Sequence, residues 1–279
     1  MSFRPFNGPL AGRAVFLSAS VPSVDRAERY RRIPQAFARI EEAALRVAGA
    51  VFNAGGTLVF GGHPSISPLI GYLCEQYQPS VEAEGQNRRT RDVDATPGRP
   101  RVVMFQSEAF RESWAAPSQR LGTLAGVEVI WTASENGEKF DVNRRGQPQC
   151  QESLRAMRKR MLGIDQLVAM VAIGGMEGVE VEIEMFRGIR EKLPIYAIAS
   201  TGGAAQILTD QYPGLVRSFD DEVRAHVREF RRQMRAQQQE GGSAQTPADE
   251  EEAEILIPYA NVASRIVQDI IENIRNAQQ

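Results

Sequence analysis

The stretch from residue 166 to residue 184, QLVAMVAIGGMEGVEVEIE, constrains the fold more than any other part of the sequence. Its first half, residues 167–173, is nearly all apolar, which is typical of a strand buried on both faces of a parallel sheet. Gly174 and Gly175 predict a tight turn after this strand, and Gly178 permits close packing or a close ligand approach where a helix begins. We expect that helix to extend over residues 177–190.

A strand, a glycine turn and a helix N-terminus in succession are suited to binding an anion or a sugar phosphate. The first backbone N–H groups of a helix have no partner within it, and the helix dipole adds partial positive charge at the same end. Glu180, Glu182 and Glu184 follow in the predicted helix. These carboxylates either stabilise the helix N-terminus, or one of them binds ribose hydroxyls or assists chemistry.

Composition and charge narrow the classes of function. A chain of 279 residues, 42% of them hydrophobic, can bury one substantial core, and we favour a single domain over residues 1–279. The formal net charge of −2 gives no broad positive field for nucleic acid. No apolar run approaches the roughly 20 residues that span a bilayer. Residues 1–10 lack the apolar core of a signal peptide, so we expect a cytoplasmic protein with neither nucleic acid nor membrane as partner.

The cysteines and histidines give no metal signal. Cys74 and Cys150 are far apart and outside any C-x-x-C pair, so the sequence predicts neither a disulfide framework nor a zinc site. His63 and His226 are the two histidines of the chain, too few for a His-rich centre. We therefore expect no bound metal and no required cofactor.

Strand and helix patterns alternate along the chain. Short apolar runs predict strands at residues 14–17, 57–60, 101–105, 127–131, 167–173 and 194–199. Apolar residues spaced by three and four predict helices between them; Pro34 would lie in the first turn of the first helix, with Phe37 on its buried side, and Pro64 would open the second. Phe110 and Trp114 are expected to anchor a surface loop. This alternation predicts an α/β fold, a doubly wound parallel sheet with helices on both faces.

Two polar segments and a C-terminal element complete the prediction. Residues 78–100 and 239–254 are poor in apolar residues, so we expect flexible insertions there. Residues 255–275 form a C-terminal docking element, whose helix carries an apolar stripe at Val262, Ile266, Ile270 and Ile274. Such a stripe must cover the domain or a partner subunit, and we expect a homo-oligomer.

The glycine-rich and small-residue turns all follow predicted strands. Because ligands bind outside the carboxyl ends of parallel strands, where the strand order reverses, we predict that these turns share one ligand rim. The predicted ligand-binding residues are Ser18, Ala19, Ser20, Gly61, Gly62, His63, Ser65, Gln106, Gly174, Gly175, Met176, Glu177, Gly178, Glu182, Ser200, Thr201, Gly202 and Gly203. The chain lacks G-x-G-x-x-G after its first strand and lacks a P-loop motif, which argues against a dinucleotide dehydrogenase and a P-loop NTPase.

The turns also carry a family resemblance. Residues 18–20 (SAS), 60–65 (FGGHPS), 173–178 (IGGMEG) and 199–205 (ASTGGAA) resemble the SLOG superfamily, and more narrowly its branch fused or adjacent to Sir2 and TIR domains in bacterial defence systems. Pro258, Tyr259 and the helix that follows are similar to the C-terminal tail of that branch. The resemblance implies a Rossmann-like domain that binds ADP-ribose or cyclic ADP-ribose relatives, with a Sir2 or TIR effector as partner.

The related Lonely Guy phosphoribohydrolases, which cleave a base from a nucleoside monophosphate, share the superfamily. Aligned on Gly178, their P-G-G-x-G-T-x-x-E motif has Val179 here at its threonine and Glu182 at its final glutamate, and residues 61–65 replace their first motif. In an enzyme, Glu182 would stabilise an oxocarbenium-like transition state, and His63 would act as acid or base. The missing hydrolase residues favour a binding module, in which Glu182 mainly recognises ribose. An N-glycoside hydrolase of nucleotides and a structural Rossmann-like protein are the alternatives.

Overall fold

The computed structural model describes residues 8–22, 28–30, 33, 35–77, 101–144, 147–239 and 257–278. In these ranges the chain forms one seven-stranded sheet in which every neighbouring pair of strands is parallel. Its strands are β1 (Ala14–Ser20), β2 (Thr57–Phe60), β3 (Val102–Ser107), β4 (Val127–Thr132), β5 (Leu167–Gly174), β6 (Ile195–Ile198) and β7 (Val216–Arg217). The predicted α/β fold with a parallel sheet is confirmed.

The strand order reverses between β1 and β5. In space the order is β4-β3-β2-β1-β5-β6-β7, so the chain moves outward from β1 to one edge and then crosses back to continue on the other side. β1 and β5 pair along their whole length, and Ser20 at the end of β1 lies beside Gly174 at the end of β5. This junction is the topological switch point, where sheets of this kind bind ligands.

Helices cover both faces of the sheet. They are α1 (Ala36–Asn53), α2 (Ser67–Gln76), α3 (Ala116–Gly122), α4 (Gln151–Leu162), α5 (Glu177–Ile189), α6 (Gly203–Gln211), α7 (Asp220–Gln239) and α8 (Tyr259–Asn276). Alternate residues of β1 serve the two faces: Val15 and Leu17 pack with α1, α2 and α8, and Ala14 and Phe16 pack with α4, α5 and α6. Both cores are therefore anchored on the same central strand.

The C-terminal helix packs on the domain. Val262, Ile266 and Ile270 of α8 are at most 1% exposed and belong to the core that contains α1. Ile274, nearer the end of the stripe, is partly buried against the same core. The apolar stripe of α8 is thus covered by its own chain.

Several element boundaries differ from the prediction. Gln35 adopts a left-handed conformation, with φ of 58°, and α1 begins only after it, so Phe37 in the first turn is 56% exposed rather than buried. The second helix starts at Ser67 instead of Pro64. The predicted loop between β3 and β4 contains a 3₁₀ helix and α3, where Leu121 is the one large apolar residue buried, too weak a pattern to predict a helix.

Some predictions fall on residues outside the described ranges. These are the insertion at 78–100, residues 240–254 of the second insertion, Pro34, and residues 255–256 of the C-terminal element. Gln239, predicted to lie in the second insertion, is the last residue of α7. Among the helices of the described ranges, none has the length and apolar character needed to cross a membrane.

Candidate functional site

A cleft of about 620 Å³ opens beside the switch point, at the carboxyl ends of β1, β2, β3 and β5. Eight of the predicted ligand-binding residues belong to the lining of this cleft. These residues are Ser20, Gly61, Gly62, His63, Gln106, Met176, Glu177 and Gly178. The turns after these strands therefore share one concave surface.

The other predicted residues lie outside the lining of this cleft. They are Ser18, Ala19, Ser65, Gly174, Gly175, Glu182, Ser200, Thr201, Gly202 and Gly203. The turn after β6 braces the turn after β5: the Thr201 hydroxyl accepts a hydrogen bond from the Gly174 N–H at 2.8 Å, and the Ala204 N–H donates to the Gly175 carbonyl at 3.0 Å. A Cβ on Gly203 would lie 2.5 Å from that carbonyl oxygen, so glycine here allows two backbones to touch.

A second depression of similar volume, about 630 Å³, lies at the opposite edge of the sheet. Arg13, Leu167 and Pro194, which stand at the amino ends of β1, β5 and β6, contribute to its lining. Parallel sheets bind ligands at the carboxyl ends of their strands, and the glycine turns are there. We therefore take the cleft at the switch point as the candidate ligand site.

The loop after β2 is held by buried polar side chains. Gln106 on β3 donates from its amide to the carbonyls of Gly61 at 3.2 Å and Gly62 at 3.4 Å. The Ser118 hydroxyl donates to the Gly62 carbonyl at 2.9 Å, and Ser67 donates to the His63 carbonyl at 3.1 Å. These bonds fix the loop before any ligand arrives.

His63 lies in the lining of the cleft and is an exposed residue. Protein atoms packed around the imidazole lower its pKa to about 4, although solvent at the exposed part of the ring moderates this effect. Its Nδ1 lies 2.8 Å from the Ser65 hydroxyl oxygen and 3.3 Å from the Ser65 backbone nitrogen, so Ser65 is the hydrogen-bond partner of this ring nitrogen. A neutral imidazole of low pKa suits a hydrogen-bond donor better than a general acid at neutral pH.

The N-terminus of α5 faces the cleft without a side-chain cap. Met176 stands at the cap position, and no hydrogen bond from its side chain satisfies the first turn. The turn before it is fixed, because the Gly175 N–H donates to the Ser20 carbonyl at 2.8 Å. A Cβ on Gly178 would lie 3.3 Å from Arg158 Nη2, so this glycine keeps the helix end open beside a guanidinium.

Arg158 on α4 is the main cleft residue that the sequence analysis missed. Its Nε lies 3.2 Å from Glu182 Oε1 on α5. The Arg158 side chain is 14% exposed and that of Glu182 is 15% exposed. The other carboxylate oxygen, Oε2, accepts a hydrogen bond from the buried Ser18 hydroxyl at 2.5 Å. Glu182 thus holds Arg158 beside the cleft, and its own side chain is not part of the lining.

Glu180, two residues before Glu182 in α5, ties this helix to the segment after β1. Its carboxylate accepts a hydrogen bond from the buried Tyr30 hydroxyl at 2.9 Å and forms an ion pair with Arg29. Burial, followed in importance by this hydrogen bond, raises the pKa of Tyr30. Glu180 therefore has a structural partner, in line with the interpretation that not every glutamate of α5 serves the ligand.

Among the described residues that line the cleft, the charged side chains are those of Arg158 and Glu177. They give this end of the cleft both a cation for phosphate oxygens and a carboxylate that can accept hydrogen bonds from sugar hydroxyls. Within the described ranges, no group of three or more His, Cys, Asp or Glu side chains is arranged to hold a metal ion. The cleft is thus equipped for an organic ligand with both polar and ionic groups.

The fold and this site define the class of the protein. It is a Rossmann-like α/β protein with its cleft at the topological switch point. The chain belongs to the SLOG cluster3 family, whose model matches residues 87–234, just over half of the 279 residues. The resemblance to the SLOG superfamily is confirmed. Neither the curated proteins nor the solved structures that were searched contained a match.

The matched residues include the turns after β3, β5 and β6. Family membership indicates a Rossmann-like domain for nucleotide-related ligands, which members bind or hydrolyse. The turns after β1 and β2 lie before the matched range. The loop that begins at Gly61 is placed at the cleft because its residues belong to the lining.

Proposed function

We propose that the protein binds a nucleotide-derived ligand of the ADP-ribose type, cyclic ADP-ribose relatives included, in the cleft at the switch point. One observation carries the proposal: the fixed loop after β2, the uncapped N-terminus of α5 and the Arg158 guanidinium converge on a single cleft. Backbone N–H groups and a guanidinium are donors for phosphate oxygens. Glu177 supplies an acceptor for ribose hydroxyls. Membership of the SLOG cluster3 family supports a ligand of this chemistry.

Binding without turnover agrees better with the contacts than hydrolysis does. The carboxylate of Glu182 is engaged by Ser18 and Arg158 and stands behind the lining. A glycoside hydrolase needs a carboxylate that reaches the reacting sugar. Desolvation lowers the pKa of His63, so the protonated ring that base departure would use becomes scarcer at neutral pH.

We further propose that the protein acts as a sensor in a bacterial defence or signalling system. In this account, ligand occupancy is passed to a Sir2 or TIR effector through a change in subunit or domain arrangement. The resemblance of the glycine turns to the Sir2- and TIR-associated branch supports the partner. Phe230 and Met234 on α7, which are 59% and 42% exposed, offer apolar surface for the homo-oligomer that such a sensor would form.

Calorimetric titration of ADP-ribose, cyclic ADP-ribose isomers and AMP tests the binding function, with released base assayed in the same samples. Glu177→Gln should weaken binding by at least about tenfold, because one hydrogen bond to a charged group is worth about 1.5 kcal/mol or more. Glu184→Gln is the matched control, since Glu184 is an exposed carboxylate of the same helix outside the cleft.

The outcomes separate the classes of function. Binding without base release, weakened in Glu177→Gln and not in Glu184→Gln, supports the sensor. Base release by the native protein would establish the hydrolase instead. If no nucleotide binds, the structural alternative takes the place of both.

A further inference from the structure

Aromatic side chains line the part of the cleft beside β3. Phe110 and Trp114 follow β3 in the chain, and Phe140 belongs to the segment between β4 and α4. The rings of Phe110 and Phe140 lie 5.2 Å apart between centroids, with an angle of 33° between their planes. All three side chains are partly buried and belong to the lining of the cleft.

This aromatic group is held in place although its segments have little regular structure. The Phe140 N–H donates to the Ala109 carbonyl at 2.8 Å, which joins the two segments. The Gln149 amide accepts from the Asp141 N–H at 2.9 Å and donates to the Asp141 carbonyl at 3.1 Å. The Glu138 carboxylate accepts hydrogen bonds from two N–H groups in the first turn of α4, at 3.4 and 2.8 Å. The rings therefore form a prearranged surface.

The chemistry of this surface favours a flat ligand group. Open aromatic faces bind planar π systems by stacking, and they do so with little dependence on the identity of the base. Two polar side chains nearby are engaged within the protein: Gln149 binds backbone groups, and the Ser113 hydroxyl donates to the Phe110 carbonyl at 3.2 Å. The buried Trp114 Nε1 has no hydrogen-bond partner among the described residues. The charged lining residues, Arg158 and Glu177, come from α4 and α5 instead.

The sheet order sets the distance between the two kinds of surface. β3 and β5 are separated by β2 and β1, so their carboxyl ends are three strand spacings apart, roughly 14 Å. Between them lies Gly61, where the nearest atom to an added Cβ would be Met157 Cε at 3.8 Å. An extended nucleotide can thus cross the ends of β1 and β2 over an unobstructed glycine.

We infer that Phe110, Trp114 and Phe140 form the base subsite of the cleft, which stacks on the heteroaromatic base of the nucleotide, while the N-terminus of α5 and Arg158 hold its phosphate end. This inference rests on the proposed function. In this inference, stacking on the aromatic surface is the reason why the protein selects a ligand with a base over a simple sugar phosphate.

The chain carries its own probe for this subsite. Its two tryptophans, Trp114 and Trp131, pack edge to face with centroids 5.0 Å apart, so intrinsic tryptophan fluorescence reports from this region. ADP-ribose should change the fluorescence on binding. Ribose 5-phosphate, which lacks the base, should bind at least about tenfold more weakly and leave the fluorescence unchanged.

Phe140→Leu tests the stacking directly. It should lower the affinity for ADP-ribose by about tenfold, since stacking of one base on an aromatic side chain is worth that factor or more. Phe230→Leu is the matched control, because Phe230 is 59% exposed on α7, outside the cleft. Calorimetry with ADP-ribose and ribose 5-phosphate on the native protein and both variants measures the effects.

Failure of the inference and failure of the proposed function look different. If native protein binds ADP-ribose but Phe140→Leu binds it equally well, or if both variants lose the same affinity, the base subsite is overturned and the binding function stands. If the native protein binds no nucleotide, the proposed function fails and the inference falls with it. A loss confined to Phe140→Leu and to the base-containing ligand supports the subsite.

Discussion

Replacing Gly178 with alanine should make the protein more stable and, at the same time, a weaker binder. Gly178 lies in the first turn of α5 and its φ is not in the left-handed region, so alanine fits the backbone. Glycine costs a helix roughly 0.5–1 kcal/mol relative to alanine. The new methyl would lie 3.3 Å from Arg158 Nη2, the far end of a flexible side chain that can shift by a few tenths of an ångström.

The expected gain in stability is therefore about 0.5–1 kcal/mol, or roughly 1–3 °C in Tm for a chain of this size. Ligand binding should suffer because the methyl occupies the space next to the helix N-terminus. Loss of one hydrogen bond to a charged group costs about 1.5 kcal/mol, which corresponds to about tenfold in affinity for ADP-ribose.

Gly188→Ala is the matched control in the same helix. Nothing lies within 4 Å of a Cβ added at Gly188, and the residue is exposed outside the cleft. This variant should gain similar stability and bind ADP-ribose as the native protein does. Thermal unfolding and calorimetric titration of the two variants measure both quantities. Unchanged affinity in Gly178→Ala would refute the assignment of the helix N-terminus to the ligand.

Three further predictions concern the framework of the site. Ser18→Ala and Glu182→Gln should show a coupling energy of about 1–3 kcal/mol in a double-mutant cycle by urea unfolding, and additive effects would contradict a shared charged hydrogen bond. Gly175→Ala should lower stability by more than about 1 kcal/mol in the same assay, because φ is +84° and the methyl would meet Val179; a native-like midpoint would count against this packing. Burial raises the pKa of Asp220, so the folded protein holds this proton more tightly than the unfolded chain and loses stability as pH rises above the ordinary carboxyl pKa. The free energy of unfolding of Asp220→Asn should therefore increase relative to that of the native protein between pH 4 and pH 7. Parallel plots of stability against pH for the two proteins would refute this.

The sequence predicted the sheet and its turns because their signals are local. An apolar run, two glycines and the start of a helix follow one another directly in the sequence. β5 and α5 lie where this pattern predicts them. The same local pattern after β6 predicted a ligand contact; in the structure, Thr201 and Gly203 contact the neighbouring turn and lie outside the cleft lining. Glycine in a turn looks alike in sequence whether a ligand or another backbone approaches it.

Arg158 and the aromatic surface depend on tertiary packing and were not predicted. A signal for Arg158 exists: it follows Leu154 by four residues and precedes Met161 by three, so it lies on the inward side of α4. Its partner Glu182 is on another helix, and the ion pair forms only when α4 packs beside α5. Phe140 lies in an irregular segment with no periodicity, where only the folded chain reveals its neighbours.

A crystal structure of the protein soaked with ADP-ribose tests the central claim most directly. The account predicts ligand density in the cleft at the switch point, with phosphate oxygens within hydrogen-bond distance of the backbone at Gly178 and of the Arg158 guanidinium. Density in the depression at the opposite edge of the sheet, beside Arg13 and Leu167, would contradict it, and so would a fully occupied ligand that touches neither Gly178 nor Arg158.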